Sequence, residues 1–232
     1  MKAWLVLALM TLMALHGWAT AADAAPGPST EKTDYSVAER ALFMTRHLAD
    51  LKPPTTLRFA FRKSGSLEPG FDDRVTVKLS ARSDRSCCAA SGEFLTGPRQ
   101  MRTVEIEEAE GNPVVLYFLE HDIREMQRLT KGSQNYFRKL IRMAIYQGAQ
   151  VRDTSFSWKG RSITGREIAI TPFVADPNRG RYEKLANKQY LFLLSSAVPG
   201  GVYGIRTRIA DTAPDAPPLI AEEMMIDGAG PP

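Results

Sequence analysis

The chain has 232 residues, of which 44% are hydrophobic and 24% are charged, and its formal net charge is +4. This composition is typical of a globular domain and excludes collagen-like, disulfide-rich and strongly charged disordered proteins. The charge excess is small and no block of like charges occurs, so we expect no nucleic-acid partner.

The first 21 residues have the features of a secretory signal peptide. Lys2 supplies a positive charge, residues 5–15 are apolar except for Thr11, and Ala19 and Ala21 are small residues at the positions of a cleavage site. The apolar run is too short to predict a membrane span, so we do not expect an integral membrane protein. We predict a periplasmic or secreted protein that is soluble after cleavage. Residues 22–34 are predicted to form a disordered lead, and residues 35–228 a single domain.

A helix is predicted to begin at Ser36, because Ser36 and Glu39 form an S-x-x-E capping box ahead of the apolar residues Ala38 and Leu42. The helix is expected to end before Pro53, since a proline disfavours helical backbone at the residue that precedes it.

From residue 55 onward the apolar period changes to two, which predicts antiparallel strands with one wet face. Alternating runs cover residues 57–62, 75–80 and 101–106, and in the last of these Val104 and Ile106 are expected to face inward. Residues 151–158 and 162–171 are predicted to pair as a tight hairpin across residues 159–161. Residues 189–195 and 202–209 follow, and residues 219–226 are predicted to form an edge strand, about nine strands in all.

Residues 112–148 predict two helices with an apolar stripe long enough to cover a sheet. Gly132 is expected to cap the first helix and Gly148 to end the second. The predicted fold class is therefore α+β, a curved antiparallel sheet (an incomplete barrel) with an N-terminal helix and a mid-chain helical lid.

The bulky apolar residues at inward positions either form a packed core or line a ligand cavity, and periodicity does not distinguish the two. The candidates for a ligand cavity are Phe59, Phe61, Phe118, Met126, Phe137, Ile141, Trp158 and Phe192.

A second candidate site is basic. Arg138, Lys139 and Arg142 lie on one side of the second helix, where they are placed to dock an anionic headgroup or an acidic envelope protein. A non-catalytic docking module is therefore the alternative to a ligand carrier.

No motif predicts a catalytic site, a cofactor or a metal centre. The adjacent Cys87 and Cys88 leave three alternatives open: a vicinal disulfide, a disulfide to another molecule, or two buried thiols. An enzyme would have to use an unrecognised site around Glu120, His121 and Asp122.

The element order resembles the LolA/LolB lipoprotein-carrier superfamily and related periplasmic proteins over residues 36–227. An exported leader precedes a short helix that ends in the run Leu48 to Leu51, a strand with Phe59 and Phe61 follows, and a helix pair divides the sheet. The resemblance implies a protein that binds or carries a hydrophobic, lipid or acyl-bearing ligand, with a lipid or lipoprotein as partner. The family's buried, lid-tethering arginine has no obvious counterpart here, and Arg58 and Arg62 are the candidates by position.

Overall fold

A computed structural model describes residues 35–213 and 215–230 of the chain. The described residues belong to one unit that begins at Tyr35. The predicted signal peptide (residues 1–21) and the predicted lead (residues 22–34) lie outside the described residues.

An antiparallel sheet of eight strands forms the framework of the described residues, in the spatial order β3-β2-β1-β8-β7-β6-β5-β4. β3 and β4 stand at the two edges of this curved sheet, so the sheet is not closed. This confirms the predicted α+β fold with an incomplete barrel. The strands are β1 (Thr55–Ser64), β2 (Phe71–Ala81), β3 (Cys87–Phe94), β4 (Gln150–Trp158), β5 (Arg161–Ile170), β6 (Gln189–Leu194), β7 (Val202–Ile209) and β8 (Ile220–Ile226).

Alternating burial gives the sheet an inner face and an outer face, as expected for a strand period of two. In β1, Leu57, Phe59 and Phe61 are buried, and the residues between them are exposed. Across the pairing with β2, Phe59 lies opposite the buried Val75 and Leu57 opposite the buried Val77. We call the face that carries these side chains the inner face.

The hairpin between β4 and β5 has a loop of only Lys159 and Gly160, both at positive φ, 50° and 74°. Two consecutive residues at positive φ are required by a type I′ turn, whose twist matches that of the flanking strands. The predicted hairpin is confirmed.

Three α-helices of the described residues precede or interrupt the strands. Helix α1 (Val37–Glu39) continues as a π-helical turn (Arg40–Met44), α2 spans Val114–Thr130, and α3 (Gln134–Met143) continues as a second π-helical turn (Ala144–Gly148). The predicted capping box is present, since the Ser36 hydroxyl accepts from the Glu39 N–H at 3.1 Å and the Glu39 carboxylate accepts from the Ser36 N–H at 2.8 Å. The left-handed residue that ends α2 is Lys131 (φ 60°) and not Gly132 as predicted.

Helix α2 covers the inner face, where the Phe118 ring lies 6.5 Å from the Phe61 ring. Among the described residues, no helix combines the length and the apolar character needed to cross a membrane.

The prediction of a strand over residues 101–106 is wrong. Only Met101 and Ile106 make isolated bridges, to Phe94 and Ala90, and Val104 is 75% exposed. Besides β1, the strand that pairs with β2 is β3. The small residues of β3 have little β propensity, so its sequence shows no periodic pattern. Small residues are required there, since a Cβ at Gly92 would lie 2.4 Å from the Tyr117 ring of α2.

The prediction that residues 219–226 form an edge strand is also wrong, because β8 lies in the middle of the sheet between β1 and β7. The local pattern does not specify which strands become neighbours. The side chains of Cys87 and Cys88 are joined as a disulfide, the first of the three alternatives.

Candidate functional site

Seven of the eight ligand-cavity candidates lie in the core between the inner face and the helices, each at most 3% exposed. They are Phe59, Phe61, Phe118, Met126, Phe137, Ile141 and Phe192. The eighth, Trp158, is partly buried at the end of β4, where its indole N–H donates to the Asp227 carbonyl at 3.1 Å.

These core side chains pack against one another and against aromatic neighbours. The Phe61 ring lies 6.0 Å from the Phe94 ring, and the Phe137 ring lies 5.7 Å from the Phe173 ring and 5.9 Å from the Tyr182 ring. Distances of this size are those of favourable edge-to-face contacts. That this core parts around a ligand stays a prediction.

A cavity of about 820 Å³, which we call cavity I, opens where the segment after α1 faces the β4–β5 hairpin and the turn between β6 and β7. Its apolar lining includes Ala41, Leu51, Trp158, Leu194 and Val198. Its polar lining includes Arg46, His47, Asp50, Asp153 and Arg166. Of the eight candidates from the sequence, only Trp158 lines this cavity.

The β6–β7 turn that borders cavity I is held by buried polar contacts. Gly200 and Gly201 adopt φ values of 74° and 70°, which residues other than glycine rarely adopt. The Asn112 side-chain amide donates to the Gly200 carbonyl at 2.9 Å, and the Asn112 N–H donates to His47 Nδ1 at 3.4 Å. Burial lowers the pKa of His47, which keeps its ring neutral and able to accept this hydrogen bond.

At the other end of β1, a buried ionic cluster joins the sheet to α2. The Lys63 ammonium lies 2.8 Å from Glu68, 3.0 Å from Glu125 and 3.8 Å from Glu222, and its side chain is 7% exposed. Burial alone would lower the pKa of Lys63, but these carboxylates raise it above its ordinary value. Lys63 is therefore a buried counter-ion for carboxylates of β8, of α2 and of the loop after β1.

Neither Arg58 nor Arg62, the candidates by position for a lid-tethering arginine, is buried. Both are exposed on the outer face, and Arg62 pairs with the equally exposed Asp72 at 2.8 Å. The cation that contacts the helix from β1 is instead Lys63, one residue further along the strand and so on the opposite face.

The three residues around which the sequence allowed an unrecognised enzyme site lie in three different environments. They are Glu120, His121 and Asp122. Glu120 is on the helix surface, where it pairs with Arg124 at 3.2 Å and with Arg138 at 2.9 Å. Asp122 is buried and accepts from the ammonium of Lys188 and from the Tyr190 hydroxyl.

His121 lies with its Nε2 3.6 Å from a carboxylate oxygen of Glu222, and neither that nitrogen nor the second Glu222 oxygen has a hydrogen-bond partner. Burial alone would raise the pKa of Glu222, but His121, Lys188 and Lys63 hold it below its ordinary value. The site therefore contains an ionised, almost fully buried carboxylate.

A second cavity, of about 470 Å³, opens above this cluster, and we call it cavity II. Its walls combine four basic side chains, two acidic ones, one imidazole, one amide and four apolar ones. They are Lys63, Glu68, Pro69, Phe71, Leu95, Arg99, Gln100, Met101, His121, Arg124, Glu125 and Arg128.

Sequence reasoning missed Lys63, Lys188 and Glu222 as functional candidates. Two of them carried a usable signal, since Lys63 has the same strand parity as the buried Phe61, and Glu222 the same parity as the buried Met224. A charge at an inward position of a strand is rare without a partner, so the pattern itself indicated a buried pair. Lys188 precedes β6 and carried no such signal.

The basic docking candidates Arg138, Lys139 and Arg142 are all exposed on α3. Arg138 is partly engaged, because it donates to Asn135 at 2.6 Å and to Glu120 at 2.9 Å. That this surface docks an acidic partner stays a prediction. In the described residues, no cluster of three or more His, Cys, Asp or Glu side chains is arranged to hold a metal ion.

No family model matches the chain, and no curated protein sequence matches it. The structure is similar to that of the lipoprotein LppX of Mycobacterium tuberculosis, with 10% sequence identity and a TM-score of 0.28. The similarity covers 78% of this chain and 89% of that chain. Because the TM-score is low, this similarity assigns neither a ligand nor a function to the present chain.

Proposed function

We propose that this chain is an exported, non-catalytic protein that binds or carries a hydrophobic, acyl-bearing ligand between its curved sheet and its helices. The observation that carries the proposal is cavity I, a mixed apolar and polar opening of about 820 Å³ at one end of the inner face. Export is inferred from the leader-like residues 1–21.

The size and lining of cavity I support a ligand of this kind. Ligand sites are commonly about 300–1,000 Å³, mostly apolar, with a few polar groups that orient the ligand. Leu51, Leu194 and Val198 supply apolar surface, and Arg46 and Arg166 supply cations beside it. Binding would be driven by burial of apolar area, at about 25 cal/mol per Å².

The apolar stripe of the inner face offers a path for a chain longer than cavity I. Gly200, in the lining, packs so closely on Leu57 that an added Cβ would lie 2.6 Å from Leu57 Cδ1. Leu57 is followed on the same face by Phe59 and Phe61, two of the predicted cavity residues. In this proposal α2 and α3 move apart around Gly132 to admit the acyl chain, and flexible liners such as Met126 adapt to it.

The test combines native mass spectrometry of the mature protein purified from cells with calorimetric titration of laurate. The informative variant is Ala197→Trp, because Ala197 is exposed and lines cavity I, so an indole there occupies the opening without disturbing the core. The matched control is Ala60→Trp, since Ala60 is exposed on the outer face of β1.

We expect a co-purifying acyl species, and laurate affinity at least about tenfold weaker in Ala197→Trp, which corresponds to about 1.4 kcal/mol. Ala60→Trp should bind like the parent protein. An unchanged affinity in Ala197→Trp, or a parent protein that neither carries an acyl species nor binds laurate, would overturn the proposal.

A further inference from the structure

Cavity II lies away from cavity I, and the two share no lining residue. Lys63, at the back of cavity II, is six residues beyond Leu57 on the same face of β1, and Leu57 packs on the turn that borders cavity I. The two openings are therefore at opposite ends of the inner face, and a ligand of cavity II needs its own explanation.

The two carboxylates that line cavity II are already engaged within the protein. Glu68 and Glu125 are each bound by both Lys63 and Arg128, at distances between 2.6 and 3.0 Å. Burial alone would raise the pKa of Glu125, but Arg128 and Lys63 lower it to about 2, so this carboxylate stays ionised and paired at neutral pH. Glu68 and Glu125 consequently neutralise Lys63 and Arg128. The cations that remain to face the opening are Arg99 and Arg124.

The remaining cations of the lining, Arg99 and Arg124, each lie near one carboxylate. Arg99 lies 3.9 Å from Asp73, and Arg124 makes an exposed pair with Glu120 within one helical turn at 3.2 Å. The exposed Arg124–Glu120 pair contributes little, because water and salt screen it and both side chains lose freedom. The Arg99–Asp73 contact is long, but the Asp73 side chain is only 4% exposed. An anionic ligand can therefore take over the Arg124 guanidinium at small cost.

The walls of cavity II also favour an apolar group beside the anion. The Arg99 guanidinium lies 4.3 Å from the centre of the Phe71 ring, a cation–π contact that restricts its orientation. Phe71, Leu95 and Met101 add apolar surface next to it. At the back, the side chain of His121 is 13% exposed, and its buried Nε2 faces Glu222 at 3.6 Å.

We propose that cavity II binds a phosphate monoester that carries an apolar group. The guanidinium groups of Arg99 and Arg124 bind the phosphate oxygens, which their planar fork of donors fits better than an ammonium does. The apolar part of the ligand packs on Phe71 and Met101.

Phenyl phosphate is the first probe, titrated calorimetrically into the mature protein. We expect saturable binding that weakens with added salt and is at least about tenfold tighter than that of inorganic phosphate. Arg99→Gln and Arg124→Gln should each weaken it at least about tenfold. The matched control is Arg102→Gln, an exposed arginine three residues from Arg99 that does not line the cavity.

No saturable binding of phenyl phosphate, or an affinity in Arg99→Gln within about twofold of both the parent and Arg102→Gln, would overturn the proposal. Circular dichroism of each variant verifies the fold, and both arginines are exposed, so the exchanges leave the core intact.

Dodecyl phosphate distinguishes a lipid headgroup from a small phosphomonoester. Tighter binding than phenyl phosphate, lost in Arg99→Gln, supports a lipid source, whereas equal affinity for the two probes supports a small molecule. Tighter binding that Arg99→Gln leaves unchanged overturns the assignment to cavity II. Laurate titration of Arg99→Gln keeps this inference separate from the proposed function, since that variant leaves cavity I intact.

Discussion

Replacing Lys63 by methionine tests whether the buried cation stabilises the docking of α2 on the sheet. The variant keeps most of the side-chain volume and removes the ammonium that faces Glu68, Glu125 and Glu222. Glu222 has a side chain that is 2% exposed, so its charge would lose a nearby counter-ion without gaining water. Breaking a buried pair in this way costs about 3–5 kcal/mol.

The matched control is Lys78→Met on the neighbouring strand β2. Lys78 pairs with Glu93 at 2.9 Å, nearly the distance of the Lys63–Glu68 pair, but its side chain is 60% exposed and that of Glu93 46%. Exposed pairs contribute about 0–1 kcal/mol, so Lys78→Met should be nearly neutral. The two variants differ chiefly in the burial of the pair.

Urea unfolding followed by circular dichroism measures the effect. With a slope of about 2 kcal/mol per M, a loss of about 3 kcal/mol lowers the midpoint by about 1.5 M. Adding Glu222→Gln to Lys63→Met should restore part of the lost free energy of unfolding, because the uncompensated Glu222 charge is then absent. Equal midpoint shifts in Lys63→Met and Lys78→Met would refute the view that burial makes the cluster stabilising.

Two further predictions concern acid stability and packing. The pKa of Glu125 is about 2 in the folded protein against an ordinary 4.5, so the unfolded chain takes up this proton first as the pH falls. Stability should therefore decrease between about pH 4.5 and 2, and an acid titration with a constant urea midpoint over that range would contradict this. Gly165→Ala should lower the free energy of unfolding by about 1–3 kcal/mol, because the new Cβ would lie 2.1 Å from the Phe156 ring and 2.8 Å from the Leu194 carbonyl oxygen. Gly180→Ala, with no atom within 4 Å of the new Cβ, is the control for the same urea measurement, and equal effects would show that the contact at Gly165 is unimportant.

Several elements were determined by the sequence itself, because their causes lie within a few residues. The side chains of Ser36 and Glu39 each accept a hydrogen bond from the other residue's backbone N–H. Lys159 and Gly160 adopt the positive φ values that the β4–β5 hairpin requires. The alternation through Leu57 and its successors likewise specifies a strand with one buried face, since side chains of a strand alternate between faces.

Only the tertiary structure decided which strands and charges meet. β8 became a central strand because β1 and β7 both pair with it, and strand neighbours are not encoded in local periodicity. In that pairing Lys63 lies opposite Glu222, so two residues that are far apart in the chain form part of a buried cluster with α2.

The two cavities follow from the same kind of contact at long range. Cavity I needs Leu51, Trp158 and Val198 side by side, and cavity II needs Arg99 beside Arg124, although each set is distant along the chain. A sequence determines the period and the ends of its elements through local backbone energetics. The shape and charge of a cavity depend on how the curved sheet and α2 pack together, and that packing brings together residues that have no local relation.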